Sequence, residues 1–323
     1  MSASRSLAVV IPSWNSLRLL PRCLGSLADQ GAEIELLVVD NGSRDGSLEY
    51  LRGEGVPHLS LPRNLGFAAA VNLGVARTAA AAVLVLNADT ALEPGCAGTL
   101  LRALEADPAL GGVQPRILQL EAGEGEPPPV ADARLYSVGQ ALLRDGRAVE
   151  EGAGEAQSPA LLRPREVFGV CGAACLLRRE LFAQLGGYDE SYFSFYEDVD
   201  LNVRARIAGW GFAYVPEAVV WHVGNASWME GFERPGAENA RLVARNRLAT
   251  QVKYMPARAL PRIAVVEAGS LLRATRQRRL AATLRGKLEG LRRLPRLLRE
   301  RRRLRRDGDP ERARRWLGVR TSA

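Results

Sequence analysis

Val38-Val39-Asp40-Asn41-Gly42-Ser43-Arg44-Asp45-Gly46-Ser47 starts as an apolar strand and turns polar within one residue. The strand signal spans Glu35–Asp40. The same form recurs where Leu7–Ile11 passes into Pro12-Ser13-Trp14-Asn15 and where Ala82–Leu86 passes into Asn87-Ala88-Asp89-Thr90. A weaker strand signal covers His58–Leu61. Helical patterns lie between them, over Ser16–Gln30, Gly46–Leu51 and Phe67–Ala79. Short apolar strands alternating with helices predict a mostly parallel α/β sheet covered on both faces. Ligands of such sheets bind beyond the carboxyl ends of the strands, which is where Asp40 and Asp89 fall.

Residues 119–166 break the pattern. They are rich in Gly, Glu and Pro, include Pro127-Pro128-Pro129, and read as a loop or insertion with a hairpin around Arg144-Asp145-Gly146-Arg147. Apolar character returns from Val167 to Leu177. A dense polar and aromatic stretch follows from Gly186 to Asn202. The spacing then predicts a helix over Val199–Ala208 stopped by Gly209, a strand over Ala213–His222 and a helix over Gly236–Lys253. The organisation is a catalytic domain over residues 1–255 and a basic helical tail over 256–323, punctuated by Pro261 and Pro295.

The net charge of +8 is unevenly spread. Residues 258–323 carry 21 Arg and Lys against 6 Asp and Glu, whereas residues 1–257 carry 23 against 30. The isoelectric point of about 9.8 therefore belongs to the tail. An acidic body argues against a nucleic-acid partner. Within 284–305, leucines at helical spacing alternate with arginines, a pattern that lies on an anionic membrane surface or packs on the body or on a second copy in a homodimer. No run reaches the ~18 apolar residues of a membrane span, and Leu7–Ile11 is too short for a signal-peptide core. The four cysteines form no CxxC pair, which disfavours structural zinc and fits buried thiols in a reducing cytosol.

Asp40 can accept a hydrogen bond from a base or ribose, or simply complete the Asn41-Gly42 turn. Gly66 with small residues after Arg63-Asn64-Leu65 allows helix N–H groups near a phosphate, although alanine-rich helices are commonly just well packed. Asp89 can ligate Mg²⁺ or Mn²⁺, or cap a helix. Glu197, Asp198 and Asp200 crowd three acidic residues into four positions. Helix capping accounts for one of them, and crowding raises a carboxyl pKa toward that of a general base. His222, one of two histidines, ends a strand, where a structural role is as natural as a ligand role.

Together and in this order, VVIPSWN, VVDNGSRDGS, NLGFAAAVNLG, LVLNADT, GAACLLRRE, GGYDESYFSFYEDVDLNVRARIAGW and WHVGNAS resemble the family 2 inverting glycosyltransferases of the GT-A fold, especially the rhamnosyltransferase-like branch. The resemblance covers residues 6–255. It implies a Rossmann-like mixed sheet and a nucleotide-sugar donor, dTDP-rhamnose or a UDP- or GDP-hexose. It implies a saccharide or lipid-linked acceptor, and work on the cytoplasmic face of the membrane in cell-surface polysaccharide synthesis.

Asp198 would be the catalytic base, with Glu197 beside it. The donor would lie against Pro12, Ser13, Asn15, Asp40, Asn41, Arg63, Asn64, Gly66 and Asn72, then Asn87, Ala88 and Asp89, with Gly172 and Ala173 lining the sugar or acceptor pocket. Asn87-Ala88-Asp89 stands where the family has a DxD-type metal motif, and the Asn leaves Asp89 and His222 as the divalent-metal ligands. Rival classes are a nucleotidyltransferase, which would carry a Gly-rich basic signature after the first strand, and an inactive membrane-docking homologue. A dinucleotide oxidoreductase would need a GxGxxG there.

Overall fold

The structure is a computed structural model and describes residues 6–121, 127–224 and 235–321. Arg5 and the Asn225-Ala226-Ser227 end of the WHVGNAS stretch lie outside the described residues. The sheet is built on β1 (Ser6–Ser13), β2 (Glu33–Asp40), β3 (His58–Ser60) and β4 (Ala82–Leu86), all parallel, in the order β3-β2-β1-β4. The order continues through β11 (Ala174–Arg178), β6 (Leu110–Gln119), β12 (Gly211–His222) and β10 (Arg165–Glu166). β11 runs antiparallel to both β4 and β6, and β12 runs parallel to β6. Hence β1, β2, β4, β6 and β12 all end at one edge, and β11 begins there.

Alternation along the strands divides the core. Ala8, Val10, Val83 and Val85 face one buried cluster, and Leu7, Val9, Ile11, Leu84 and Leu86 face the other. Both sides are covered, as a run of apolar residues without polar alternation requires. Helix α3 (Phe67–Val75) presses so closely on β1 that a Cβ at Gly74 would sit 2.4 Å from Val10 Cγ1. The other helices of the catalytic body are α1 (Leu20–Gly25), α2 (Ser47–Gly53), α4 (Cys96–Ala106), α5 (Arg179–Leu185) and α6 (Glu197–Ala208).

Several elements depart from the sequence reading. The first helix covers only Leu20–Gly25, because Pro21 fixes its first turn and the chain beyond Ser26 turns instead. Residues 119–166 are not a bare loop. They hold the expected hairpin around Arg144–Arg147, built of β8 (Gln140–Leu142) and β9 (Ala148–Glu150), and in addition β7 (Leu135–Ser137) on β6, and β10. β5 (Thr90–Leu92) follows the Asn87-Ala88-Asp89 turn and pairs with β12 where a helix cap had been an alternative.

The tail is helical throughout: α8 (Leu260–Arg276), α9 (Leu280–Arg292), α10 (Leu294–Asp307) and α11 (Pro310–Arg314) follow α7 (Pro235–Tyr254). Pro261 and Pro295 sit in first turns, where a missing N–H costs nothing. The tail folds back on the body. Arg293 donates to the Ser191 carbonyl at 2.8 Å, Arg301 to that of Val252 at 2.6 Å, and the Gly318 N–H to that of Leu142 at 2.9 Å.

Candidate active site

A cavity of about 310 Å³ opens at the shared strand edge. Its floor is made by the ends of β1 and β4, with Pro12 and Ser13 on one side and Asn87, Ala88 and Asp89 on the other. Gly172 and Ala173, just before β11, and His222, at the end of β12, complete that side. Glu197 and Asp198 enter from the first turn of α6, and Asn41 reaches it from the end of β2. These eleven residues, separate in sequence, meet because the parallel strands end at one edge.

Asn41 has a second role, and the remaining residues expected there behave differently. Asn41 donates to Asn64 Oδ1 at 3.0 Å and to the Gly66 carbonyl at 3.2 Å, and accepts from the Leu65 N–H at 2.8 Å, so it clips the loop before α3. Asn15 clasps the neighbouring loop, its N–H on Ser43 Oγ and its Oδ1 on the Arg44 N–H, both at 2.9 Å. Asn72 pins α3 to the turn ahead of α6, pairing with both the N–H and the carbonyl of Tyr188 at 2.9 Å. Arg63 is exposed. Gly66 (φ +92°) has no room for a Cβ, which would lie 2.5 Å from the Phe193 carbonyl, and that carbonyl takes the Ala68 N–H. The start of α3 therefore spends that N–H on protein. Asp40 is buried. Its Oδ2 accepts from the Ser43 N–H at 3.4 Å and its Oδ1 has no hydrogen-bond partner.

Asp89 Oδ1 lies 3.2 Å from His222 Nε2, with both side chains almost wholly buried. The approach is not aligned as a hydrogen bond, and both ring nitrogens of His222 lack such a partner. So does Asn87 Oδ1. Tyr136 packs edge-on against the His222 ring with centroids 4.4 Å apart. Among the described residues no group of three or more His, Cys, Asp and Glu converges as a metal cage. Two buried ligands beside an unpartnered amide oxygen nonetheless suit a hard cation that completes its shell with waters and substrate phosphates.

Asp198 Oδ2 accepts from the Gly172 N–H and from Gln140 Nε2, each at 3.0 Å, and Oδ1 accepts from the Val199 N–H at 2.7 Å. Burial nevertheless pushes its carboxyl up, the hydrogen bonds offsetting only part. Glu197, one residue away, is pushed up well beyond the carboxylate range by burial and by Asp198, and its Oε2 is unpartnered. Asp200 is the opposite case. Lys253 Nζ and Tyr254 Oη each sit 2.5 Å from its Oδ1, and Arg204 Nε is 2.7 Å from Oδ2. The Lys253 and Arg204 charges, with the Tyr254 hydrogen bond, hold it well below the usual range despite complete burial. The three acids thus have three fates: unpartnered wall, presented carboxylate and buried anchor.

The sequence reading missed the wall contributed by residues 119–166. Tyr136, Gln140, Ala148 and Glu150 all line the cavity. They sit on three-residue strands in a Gly- and Pro-rich stretch, too short for a period to show.

The chain belongs to glycosyl transferase family 2, whose model matches residues 8–186. It is a GT-A glycosyltransferase of the rhamnosyltransferase-like branch. It is 33% identical over 242 residues to the N-acetylglucosaminyl-diphospho-decaprenol L-rhamnosyltransferase of Mycobacterium tuberculosis, covering 67% of this chain and 75% of that one. It is 25% identical over 234 residues to an O-antigen chain rhamnosyltransferase of Salmonella typhimurium, covering 71% and 69%. Among solved structures, GalNAc-T7 with UDP, GalNAc and Mn²⁺ superposes with a TM-score of 0.59 at 18% identity, over 78% of this chain and 51% of that one. The chain thus spans about half of GalNAc-T7. A mannosyltransferase from Pyrobaculum calidifontis with GDP-Man and Mn²⁺ gives 0.51 at 16% identity, over 88% and 86%. Family membership sets aside the nucleotidyltransferase alternative.

Proposed function

We propose that this chain transfers a sugar, with inversion, from a nucleotide-diphosphate donor to a hydroxyl of a lipid-linked glycan. The observation that carries the reading is the single cavity with Asp198 held by three N–H donors on one wall and Asp89 with His222 on another. dTDP-rhamnose is the first donor to try, because the mycobacterial and Salmonella relatives are named rhamnosyltransferases. UDP- and GDP-hexoses follow. A polyprenyl-diphosphate sugar is the acceptor class that the mycobacterial name suggests.

Asp198 takes the proton of the acceptor hydroxyl as that oxygen bonds to the anomeric carbon. The bond from the anomeric carbon to the diphosphate breaks on the opposite side, and the nucleoside diphosphate leaves. One displacement needs no enzyme nucleophile. The Pro12–Asn15 turn and the Asp40–Asn41 edge hold the nucleoside end. Asp89 and His222, with Asn87 Oδ1 alongside, would hold Mg²⁺ or Mn²⁺. Such an ion supplies positive charge for the departing diphosphate.

Asp198→Asn tests the assignment. Transfer is expected to fall by about 10²–10⁴-fold, the usual worth of a general base. Affinity for the nucleoside diphosphate should change little, and turnover at the wild-type rate would overturn the reading. With a lipid-linked acceptor, our reading has the enzyme working at the cytoplasmic face of the membrane. Leu284, Leu288 and Leu291 form an exposed stripe on α9, with Arg285 and Arg292 beside them. Apolar contact flanked by cations matches an anionic lipid surface.

A further inference from the structure

Asp198 is tied to a second carboxylate through one amide. Gln140 Nε2, which donates to Asp198 Oδ2 at 3.0 Å, also donates to Glu150 Oε1 at 3.0 Å. Gln140 Oε1 accepts from Asn202 Nδ2 at 2.9 Å, and the same Nδ2 donates to the Val170 carbonyl at 2.9 Å. Asn202 is fully buried, one turn after Asp198 on α6. It reaches this place only because residue 169 is glycine, where a Cβ would lie 2.3 Å from Nδ2. With the oxygen end of the Gln140 amide claimed by a donor, its NH₂ end can only face the two acids. Ser137 Oγ closes the chain on Glu150 Oε2 at 2.6 Å.

The titratable groups that face Asp198 are Glu197 on α6, Glu150 on β9, Tyr136 on β7, Cys171 and Cys175 at the start of β11, and Tyr188. Burial pushes the thiols and phenols up, so they stay neutral. Glu150 is pushed up to about 7 by burial and by the charge of Asp198.

We propose that Gln140, oriented by Asn202, is a positioning residue of the transfer reaction: it aims the Asp198 carboxylate and bridges it to Glu150, so that the two carboxyls ionise as a coupled pair. The inference rests on reading Asp198 as the base. Its two parts act in different pH ranges. The Gln140 N–H favours ionised Asp198, so losing it raises the pKa of Asp198. Glu150, pushed up to about 7, is still protonated where Asp198 ionises, so losing it leaves that first ionisation in place and removes the later one near 7.

The test is the pH profile of kcat for the full chain carrying Gln140→Met or Glu150→Gln, with thermal melting and nucleoside diphosphate titration as controls. Gln140→Met should lower kcat by about 10- to 100-fold, the range of a hydrogen bond to a charged group. It should move the acidic limb to higher pH and leave nucleotide affinity within about twofold. Glu150→Gln should leave that limb in place and remove a further inflection near pH 7. An acidic limb unmoved by Gln140→Met, or an inflection near pH 7 that survives Glu150→Gln, overturns the coupling. So does a Gln140→Met enzyme with wild-type kcat. Asp198→Asn run in parallel separates the two readings. If it turns over normally, the base assignment fails and the coupling with it. If it is inactive while either of those profiles appears, only the coupling fails.

Discussion

Asp89, His222 and Asn87 meet on one wall of the cavity. Asn87 occupies the place of a carboxylate in the family motif, and its unpartnered Oδ1 beside the Asp89–His222 pair leaves an anionic, half-built ligand set. Asp89→Ala removes the only carboxylate of that trio. It should abolish any strengthening of nucleoside diphosphate binding by Mn²⁺, measured by calorimetry with the metal and with EDTA. Binding that stays metal-dependent would relocate the ligands. Glu150 carries a second residue-scale consequence. Its carboxyl rises from 4.5 to about 7 on folding. Between those values the folded state binds more protons than the unfolded one, so stability falls as pH rises through this window. Glu150→Gln should flatten that decline, read as the change in melting temperature between pH 5 and pH 8.

Helix α6 presents Asp198, the proposed base, and its entry is strained. Phe193, Phe195 and Tyr196 all have positive φ, between +66° and +69°, which costs non-glycine residues on the order of 1 kcal/mol or more each. The surroundings hold them. Asn246 of α7, fully buried, sends its Nδ2 toward the carbonyls of Tyr192, Ser194 and Phe195 at 2.7–2.9 Å. Lys253, one face of the same helix later, pins Asp200. Asn246→Ala takes the side-chain donor from the Ser194 and Phe195 carbonyls, while that of Tyr192 keeps Arg245 and the Ser194 N–H, and we expect a loss of about 2–4 kcal/mol in urea unfolding together with reduced turnover. A variant as stable as wild type would show that the loop holds its own shape. The aromatic composition of YFSFYED marked this stretch as unusual, but the asparagine that secures it lies some fifty residues away.

Across the whole molecule the tail has two faces. Leu297 is buried against Tyr192 and Ala249, and Arg293 and Arg296 reach the loop before α6. Leu284, Leu288, Leu291 and Leu298 remain 43–49% exposed. The sequence pattern over 284–305 could not say which leucines pack and which do not. A helical period reports a stripe, and the break at Arg293 turns one stripe into two. Because the tail buttresses the body, point substitution is the right probe of it. Leu284→Glu with Leu288→Glu should abolish co-sedimentation with vesicles containing phosphatidylglycerol and leave melting and donor turnover unchanged. Undiminished pelleting would remove the membrane reading, and a change from dimer to monomer instead would assign the stripe to a second copy.

The sequence by itself determined the strand ends and the family. Apolar runs closing on Asp40, on Asn87-Ala88-Asp89 and on His222 are local signals, since a buried parallel strand must be apolar and must stop where polar residues begin. Tertiary structure alone decided how those ends are used. The residues that complete the wall, Gln140 and Glu150, come from short strands with no period of their own. Asn15 and Asn72, read as donor contacts, brace loops through partners distant in sequence, and Asn41 does the same while lining the cavity. Glu197, Asp198 and Asp200, alike in type and close in sequence, acquire different chemistry because one keeps a buried oxygen unpartnered, one meets three N–H donors and one meets Lys253. Burial and partner, which set those differences, are properties of the fold.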